Sequence, residues 1–306
     1  MTEKTVVRKA YAKVNLGLDI TGLRKDGYHL VKMIMQTIGL FDVLTFRQVD
    51  RPGVSLKISE KSTIPDIADV PTDDRNLIVK AARRVLEKAG TPDAGVEITL
   101  EKHIPMAAGM AGGSTDCAAA LRGVAELIGI SLSEKELAEI GVTLGADVPY
   151  CLMGGTALSE GIGEVLTPLP AIPPCGFLIV KPEFGASTKE VYGAYDRLKP
   201  EEIRHPDIDG MVEALKRGDL SGVASRLGNV LEQVTAAQHP EIRVIEELIR
   251  RNGVQDTIMT GSGPTVFGLL PEEWNKDEQI KEKCRFISEL KEQLKEAGIP
   301  AQVFIV

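Results

Sequence analysis

The sequence predicts a chain of two α+β domains, and three observations carry that expectation. Its 306 residues leave room for two domains at ~100–200 residues each. Strand-like and helix-like segments follow one another without the regular β-α-β alternation of a doubly wound parallel sheet. Four prolines fall within the seven residues 168–174, a loop of the kind that marks a domain edge, and the texture of the chain changes after Lys181. The expected division is residues 1–165 and 166–306.

Residues 5–20 are rich in β-branched side chains that partly alternate, which reads as one or two strands. The turn Arg24-Lys25-Asp26-Gly27 follows, then strands over 30–46 and 54–58. Residues 66–75 are polar, sit between and around Pro65 and Pro71, and read as a loop. Leu77, Ile78, Ala81, Ala82, Val85 and Leu86 have helical spacing, which predicts a helix over 76–89 with Gly90 as its stop. A strand over 95–100 and helices over 114–128 and 133–144 come next. Strand-like pieces recur at 155–158 and 177–180. Beyond Lys181, helices are predicted over 188–198, 210–217, 240–251 and 276–297, and short strands over 257–259, 265–269 and 301–306. The alternating charges of 276–295 read as a solvated helix face.

Composition narrows the function classes. With 43% hydrophobic and 26% charged residues the chain is globular. Aromatics make up only 4%, so the core is expected to be aliphatic and a groove lined with rings is not. A net charge of -8 argues against broad nucleic-acid or anionic-membrane binding, which needs a basic surface. Cys117, Cys151, Cys175 and Cys284 are scattered, and the four histidines are equally dispersed, so no zinc spacing exists. Free buried thiols in a reducing compartment are the expectation. The first twenty residues contain no apolar signal-peptide core, and no apolar run approaches the ~18 residues that span a bilayer. A cytoplasmic location follows as an expectation.

The most informative stretch is Pro105-Met106-Ala107-Ala108-Gly109-Met110-Ala111-Gly112-Gly113-Ser114-Thr115. A strand enters it and an alanine-rich helix leaves it. Glycines let the backbone approach a ligand closely, and successive N–H groups form a concave anion nest. The helix N-terminus adds unpaired donors and partial positive charge. The combination suits a polyphosphate. The plain alternative is a tight strand-to-helix turn with Ser114 or Asp116 as N-cap. The segment is neither a Walker A loop nor a G-x-G-x-x-G dinucleotide fingerprint, and the H-R-D and D-F-G protein-kinase signatures are missing.

This loop resembles that of the GHMP kinase superfamily, small-molecule kinases with the pattern P-x-x-x-G-[LM]-[GA]-x-x-S. Four further segments are similar to one member family, the 4-diphosphocytidyl-2-C-methyl-D-erythritol kinases. They are Ala12–Leu18 with Arg24–His29, Asn76-Leu77-Ile78, Gly145–Tyr150 and Met259–Phe267. Ala111 stands where many members carry glycine, a change that fits if its φ is negative. The resemblance implies a two-domain GHMP kinase fold with the active site in the cleft between domains. The N-terminal domain would bind ATP and the C-terminal one would contribute to substrate binding. The implied reaction moves the γ-phosphoryl of ATP to the 2-hydroxyl of 4-diphosphocytidyl-2-C-methyl-D-erythritol, a step in isoprenoid precursor synthesis. The implied partners are small molecules, with no nucleic acid and no membrane, and the chain would act as a monomer or homodimer.

Residue roles follow from the same resemblance. Asp147 is the natural base for the alcohol proton; on spacing alone it reads equally as a cap or turn residue. Lys13, in an apolar strand, would stand beside Asp147 to support its charge and orient the hydroxyl; from sequence alone it reads as a snorkelling edge lysine. Asn15, two residues on, would share that face of the strand and serve Lys13 or the substrate, or simply make a structural hydrogen bond. Asn76 and Lys102 match positions near the adenosine, with helix-end and surface roles as alternatives. The resemblance assigns Tyr28 and His29 to the cytosine, His29 reading its edge; from sequence alone Tyr28 reads as a core residue and His29 as a strand-end residue. Thr188, Gly261, Ser262 and Gly263 match substrate-side segments; capping and a plain turn are the competing roles. ATP is expected with Mg²⁺. The sequence shows no dedicated metal ligands, and Ser114 is the best indirect contact. The rival functions are another GHMP kinase acting on homoserine, mevalonate or a sugar, and a non-catalytic nucleic-acid-binding or ATP-binding regulatory protein.

Overall fold

The structure is a computed structural model that describes residues 4–275 and 279–306. The first three residues of the helix expected from Lys276 lie outside the described residues. The chain forms two compact units that interleave along the sequence. The first holds residues 1–13, 39–106 and 111–154; the second holds 14–38, 107–110 and 155–306.

The N-terminal region is built on two long strands, β1 (Thr5–Leu23) and β2 (His29–Val49), joined by the expected turn at Arg24–Gly27. In the first unit, Val43–Val49 of β2 pairs antiparallel with β4 (Gly95–Glu101), and β4 pairs parallel with β3 (Val54–Ile58). Four helices belong to this unit: α1 (Leu77–Lys88), α2 (Gly112–Ile128), α3 (Glu134–Leu144) and α4 (Val148–Met153). The core is aliphatic, as the composition predicts, with Leu44, Leu56, Ile98 and Leu100 from strands meeting Ile78, Val85 and Leu86 of α1 and Leu121 and Val124 of α2. Phe46 is its large ring. A Cβ on Gly123 would sit 2.3 Å from that ring, so only glycine lets α2 lie so close to β2.

In the second unit, Met33–Gln36 of β2 pairs antiparallel with β5 (Thr156–Glu160), which pairs with β6 (Val165–Pro168). Gly17 and Leu18 of β1 pair in parallel with the two-residue β8 (Gly228–Asn229). A separate sheet runs in the order β11 (Ala301–Ile305), β7 (Gly176–Pro182), β10 (Val266–Leu270), β9 (Thr257–Met259). The unit's helices are α5 (Thr188–Tyr195), α6 (Ile208–Arg217), α7 (Leu220–Ala224), α8 (Glu232–Gln238), α9 (Glu241–Arg251) and α10 (Ile280–Glu296). All seven residues of β7 are buried, the result of an interior place in the sheet.

The short elements α4, α7, α8, β6 and β8 have no counterpart in the sequence expectations. They are too short for hydrophobic periodicity to register. A 3-10 turn over Ile67–Asp69 interrupts the loop at 66–75. Of the four free thiols, Cys117 and Cys175 are buried, whereas Cys284 is exposed, which corrects the expectation that all four are covered.

Candidate active site

The glycine-rich segment connects β4 to α2, and the helix begins two residues earlier than its sequence suggests, at Gly112. Ala111 occupies the N-cap with φ 57°, and Ala107 has φ 47°. The negative φ expected for Ala111 is therefore corrected. An L-residue in the left-handed region costs ~1–2 kcal/mol, and such strain gathers at functional positions. Among the described residues these two alanines are the only non-glycine residues with positive φ.

No side chain caps α2, so neither Ser114 nor Asp116 does what the plain alternative required. The first intrahelical bond runs from Thr115 N to Ala111 O, and the amides of Gly112, Gly113 and Ser114 come before it. The side chains of Asn76, Ser133, Asp207 and Asp219 cap α1, α3, α6 and α7, while α4, α5, α8, α9 and α10 also lack a side-chain cap; the left-handed N-cap residue is what sets α2 apart. An uncapped helix start with strained backbone in front of it is what an anion nest requires. Asn76 is a full structural cap. Its Oδ1 accepts from Ile78 N at 2.9 Å and its Nδ2 donates to Pro71 O at 2.7 Å.

Behind α2 lies a buried triad. Lys102 Nζ pairs with Asp42 and with Asp116 Oδ2, the latter at 2.9 Å. Asp42 also accepts from the His103 and Ile104 amides, which locks the strand end that feeds the loop. A Cβ on Gly112 would lie 3.0 Å from Lys102 Nζ, so the ammonium sits directly against the first residue of α2. Lys102 is no surface residue. Burial pulls its proton affinity down, but the two carboxylates more than offset that and the net shift is upward. One ammonium cannot neutralise two buried carboxylates. Burial, with Asp42 nearby, raises Asp116 to about 8 against the attraction of Lys102. Its Oδ1 has no hydrogen-bond partner among the described residues, which a neutral carboxyl tolerates better than an anion does.

That shift has a stability consequence. The folded state holds the Asp116 proton up to about 8, while the unfolded carboxyl releases it near 3.8. The folded chain binds more protons between those values, so this group's contribution to stability falls as pH rises from about 4 to about 8 and is flat above. Asp116→Asn cannot titrate. Its melting temperature should overtake that of the unaltered chain by several degrees as pH is raised through that window. A constant difference across the window, measured by thermal denaturation, would remove Asp116 from this role.

Lys13 and Asp147 also belong to the first unit. Lys13 is 5% exposed on β1, so it does not snorkel. Its Nζ lies 3.7 Å from Asp147 Oδ2, with side-chain exposures of 6% and 34%. This is an ion pair rather than a hydrogen bond. Asp147 takes the N-cap position of α4 in αR geometry, but its side chain makes no cap bond. Pro149 follows within the first turn of α4 and fixes the backbone there. The carboxylate is therefore half-exposed, supported by a buried cation and not consumed by the helix. The place a Cβ would take on Gly145 is 3.7 Å from Ser114 Oγ, which brings the first turn of α2 beside the start of the Asp147 segment. Cys151, on α4, has its thiol pushed well up by burial and by the Asp147 charge, and Cys117 is pushed up to about 12 by burial. Neither is a nucleophile.

The remaining candidates lie in the second unit. His29 Nε2 meets Asp196 Oδ1 at 2.6 Å. The His29 ring lies 4.8 Å from that of Tyr192 and 6.3 Å from that of Tyr195. Tyr28 is 60% exposed and is not part of the core. The sequence reading missed Tyr192, Tyr195 and Asp196, which lie far along the chain and join His29 only through the fold. They have concentrated a scarce resource, since the chain contains five tyrosines. A cavity of about 280 Å³ opens beside them, lined in part by Ile20, Leu23, His29, Tyr195 and Asp196. Thr188 Oγ1 and Ser262 Oγ are 2.9 Å apart, so two separately chosen candidates meet. Thr188 is the first residue of α5 and does not cap it. Asn15 is buried, donates its amide to Thr260 Oγ1 at 2.9 Å, and directs Nδ2 at Met33 Sδ, 3.4 Å away. Gly261 and Gly263 have φ 59° and 87°. Among the described residues no group of three or more His, Cys, Asp or Glu side chains is placed to hold a metal ion, and no helix is long and apolar enough to cross a membrane.

An uncapped glycine-rich helix start and a lysine-supported aspartate in one unit are the equipment of a phosphoryl-transfer enzyme, and comparison with known proteins agrees. Residues 76–155 match the GHMP kinases N terminal domain and residues 211–290 the GHMP kinases C terminal domain. The chain belongs to the GHMP kinases. It is 49% identical over 263 residues to a 4-diphosphocytidyl-2-C-methyl-D-erythritol kinase of Lachnoclostridium phytofermentans, covering 86% of this chain and 87% of that one. Identity to the protein of the same name from Caldicellulosiruptor saccharolyticus is 43% over 288 residues, covering 93% and 95%. A crystal structure of 4-(cytidine 5'-diphospho)-2C-methyl-D-erythritol kinase superposes with a TM-score of 0.74 at 32% identity, covering 98% of each chain. Within the GHMP kinases, the chain belongs to this diphosphocytidyl-methylerythritol kinase family. A homoserine kinase from Cytophaga hutchinsonii also reaches a TM-score of 0.74 but is 19% identical. It therefore shares the fold alone, and shape does not discriminate among acceptors.

Proposed function

We propose that the chain transfers the γ-phosphoryl of ATP to the 2-hydroxyl of 4-diphosphocytidyl-2-C-methyl-D-erythritol. The observation that carries the reading is the Lys13–Asp147 pair, a carboxylate held 3.7 Å from a buried ammonium in the same unit as the uncapped start of α2. Residues 1–165 carry ATP binding and 166–306 contribute to the alcohol substrate. The amides of Gly112, Gly113 and Ser114, with the strained backbone before them, cradle the phosphates. Asp147 accepts the hydroxyl proton as the new O–P bond forms and the bond to the ADP oxygen breaks. The Lys13 ammonium stabilises the carboxylate and orients the hydroxyl. Phosphoryl transfer needs positioning and charge stabilisation more than covalent chemistry. Mg²⁺ would neutralise phosphate charge. The donor set present fits a metal carried by the phosphates, with the Ser114 hydroxyl as its indirect protein contact. The reaction belongs to isoprenoid precursor synthesis, and we place it in the cytoplasm.

On the substrate side, His29 Nε2 donates to Asp196 in the neutral tautomer that this reading uses, which leaves Nδ1 as an acceptor. An acceptor suits the exocyclic amino group of cytosine. Neighbouring rings supply stacking, worth ~1–3 kcal/mol per base but poor at telling bases apart. Tyr28, Thr188, Asn15 and the Gly261-Ser262-Gly263 turn complete the proposed substrate contacts; Asn76 and Lys102 are proposed on the adenosine side.

ADP release by the purified chain, measured with a panel of alcohols, tests the assignment. Release with the diphosphocytidyl alcohol is expected, and release only with homoserine, mevalonate or a sugar would sink it. His29→Ala should raise KM for the cytidyl substrate by ~10-fold or more, because a buried base edge loses its partner. KM for ATP should stay nearly constant. The reverse pattern would exchange the two sites.

A further inference from the structure

We propose that Asn229 and Glu232 are positioning residues that hold the Met259–Gly261 backbone where it supports both the glycine-rich loop and the Ser262 turn. Asn229 is buried on β8. Its Nδ2 donates to Met259 O at 2.8 Å and to Gly261 O at 2.7 Å, while its Oδ1 accepts from Leu231 N at 3.0 Å. Both amide hydrogens are thus committed to one three-residue stretch. Three residues on, a Glu232 carboxyl oxygen accepts from Met259 N at 2.8 Å. The tetrapeptide from Asn229 to Glu232 therefore grips Met259 at both its backbone N–H and its C=O. On Thr260, Oγ1 accepts from the backbone N–H of Asn15 at 2.9 Å.

What this stretch supports is backbone, with no side chain to absorb a shift. A Cβ on Gly109 would lie 2.5 Å from Thr260 O, and a Cβ on Gly261 would lie 3.1 Å from Gly109 O. The two glycine segments are in direct main-chain contact. A displacement of Met259–Gly261 is passed straight to Gly109 and, along the chain, to Ser262, which meets Thr188. The inference rests on the reading that the segment around 109–113 holds phosphate.

Asn229→Asp is nearly isosteric but sets a carboxylate oxygen against two carbonyls. At about pH 8 its kcat/KM for ATP should fall by ~10²-fold, the scale of a small misplacement of binding groups. At about pH 6 the ratio to the unaltered chain should recover several-fold, because burial against two carbonyl oxygens raises the introduced carboxyl's pKa, and its protonated form again donates to one carbonyl. Glu232, Glu246, Arg243 and Arg250 face this region, and Glu232 is itself raised to about 8 by burial and by Glu246; Asn229→Asp in the Glu232→Gln background removes the Glu232 titration, and the recovery at about pH 6 should persist there. Glu232→Gln keeps an acceptor for Met259 N and should retain more activity than Glu232→Ala. A purely structural role would lower melting temperatures and leave these ratios flat with pH. A folded Asn229→Asp with normal kcat/KM, or with a pH-independent ratio, would overturn the proposal. Should Asn229→Asp not fold, Asn229→Ser carries the same test, and a folded serine variant with both KM values unchanged would overturn it equally. If the unaltered chain releases no ADP with the cytidyl alcohol, the proposed function fails by itself. The positioning role is then read from ATP affinity by calorimetry, where ~10-fold weakening in Asn229→Asp at about pH 8 is expected and equal affinity would refute it.

Discussion

Asp147→Ala is expected to lower kcat by ~10²-fold or more, the lower end of what a positioned general base contributes, with KM for ATP nearly unchanged. The half-exposed carboxylate caps no helix through its side chain and stands 3.7 Å from Lys13 Nζ, so its removal leaves the surrounding backbone bonds in place. The variant should fold normally, and steady-state ADP release is the measurement. Turnover near that of the unaltered chain would take Asp147 out of the reaction. Lys13→Met probes the same pair from the other side. It buries an apolar chain of similar length in place of the ammonium, and the proposed roles require it to lower kcat through the carboxylate it leaves unsupported.

The second large effect is on stability. Lys102→Met removes the only cation from a triad whose members are each buried. Removing one partner of a buried ion pair costs ~3–5 kcal/mol, because the other charge is left uncompensated. At ~2–4 °C per kcal/mol the melting temperature should fall by roughly 10 °C. Asp42→Asn added to Lys102→Met should recover part of the loss, since it removes the uncompensated charge while keeping an acceptor for the His103 and Ile104 amides. Those two bonds and the closeness of Lys102 to Gly112 tie the triad to the glycine-rich loop, so on the proposed role of that loop ATP affinity should weaken as well. A variant with unchanged melting temperature and lost ATP affinity would mean that Lys102 serves the nucleotide alone.

The helices most legible in the sequence are those with long amphipathic or capped patterns. The helix at Asn76–Ala89 was placed by apolar spacing and Gly90, and the structure adds only that Asn76 is its cap. The glycine-rich segment was legible as a strand-to-helix loop from residue types, because glycine frequency and a following alanine helix are local properties. The conformation of Ala111 was not. A positive φ on alanine is imposed by what surrounds the loop, and propensity argues for the opposite sign. Lys13 likewise read as a snorkelling edge residue, since nothing local shows that a strand position is covered on both sides.

The sequence by itself determined the class of fold and the glycine-rich strand-to-helix loop, because periodicity and residue type are recorded along the chain, and its resemblance to a known family supplied the expectation that Lys13 stands beside Asp147. Tertiary structure alone decided the partners that arrive from far away. Asp42 and Asp116 converge on Lys102, Tyr192 and Asp196 converge on His29, and Asn229 and Glu232 bracket Met259. Burial is the physical reason. A charged or amide group leaves water only where others satisfy it, and which groups those are depends on how strands and helices distant in sequence come to pack.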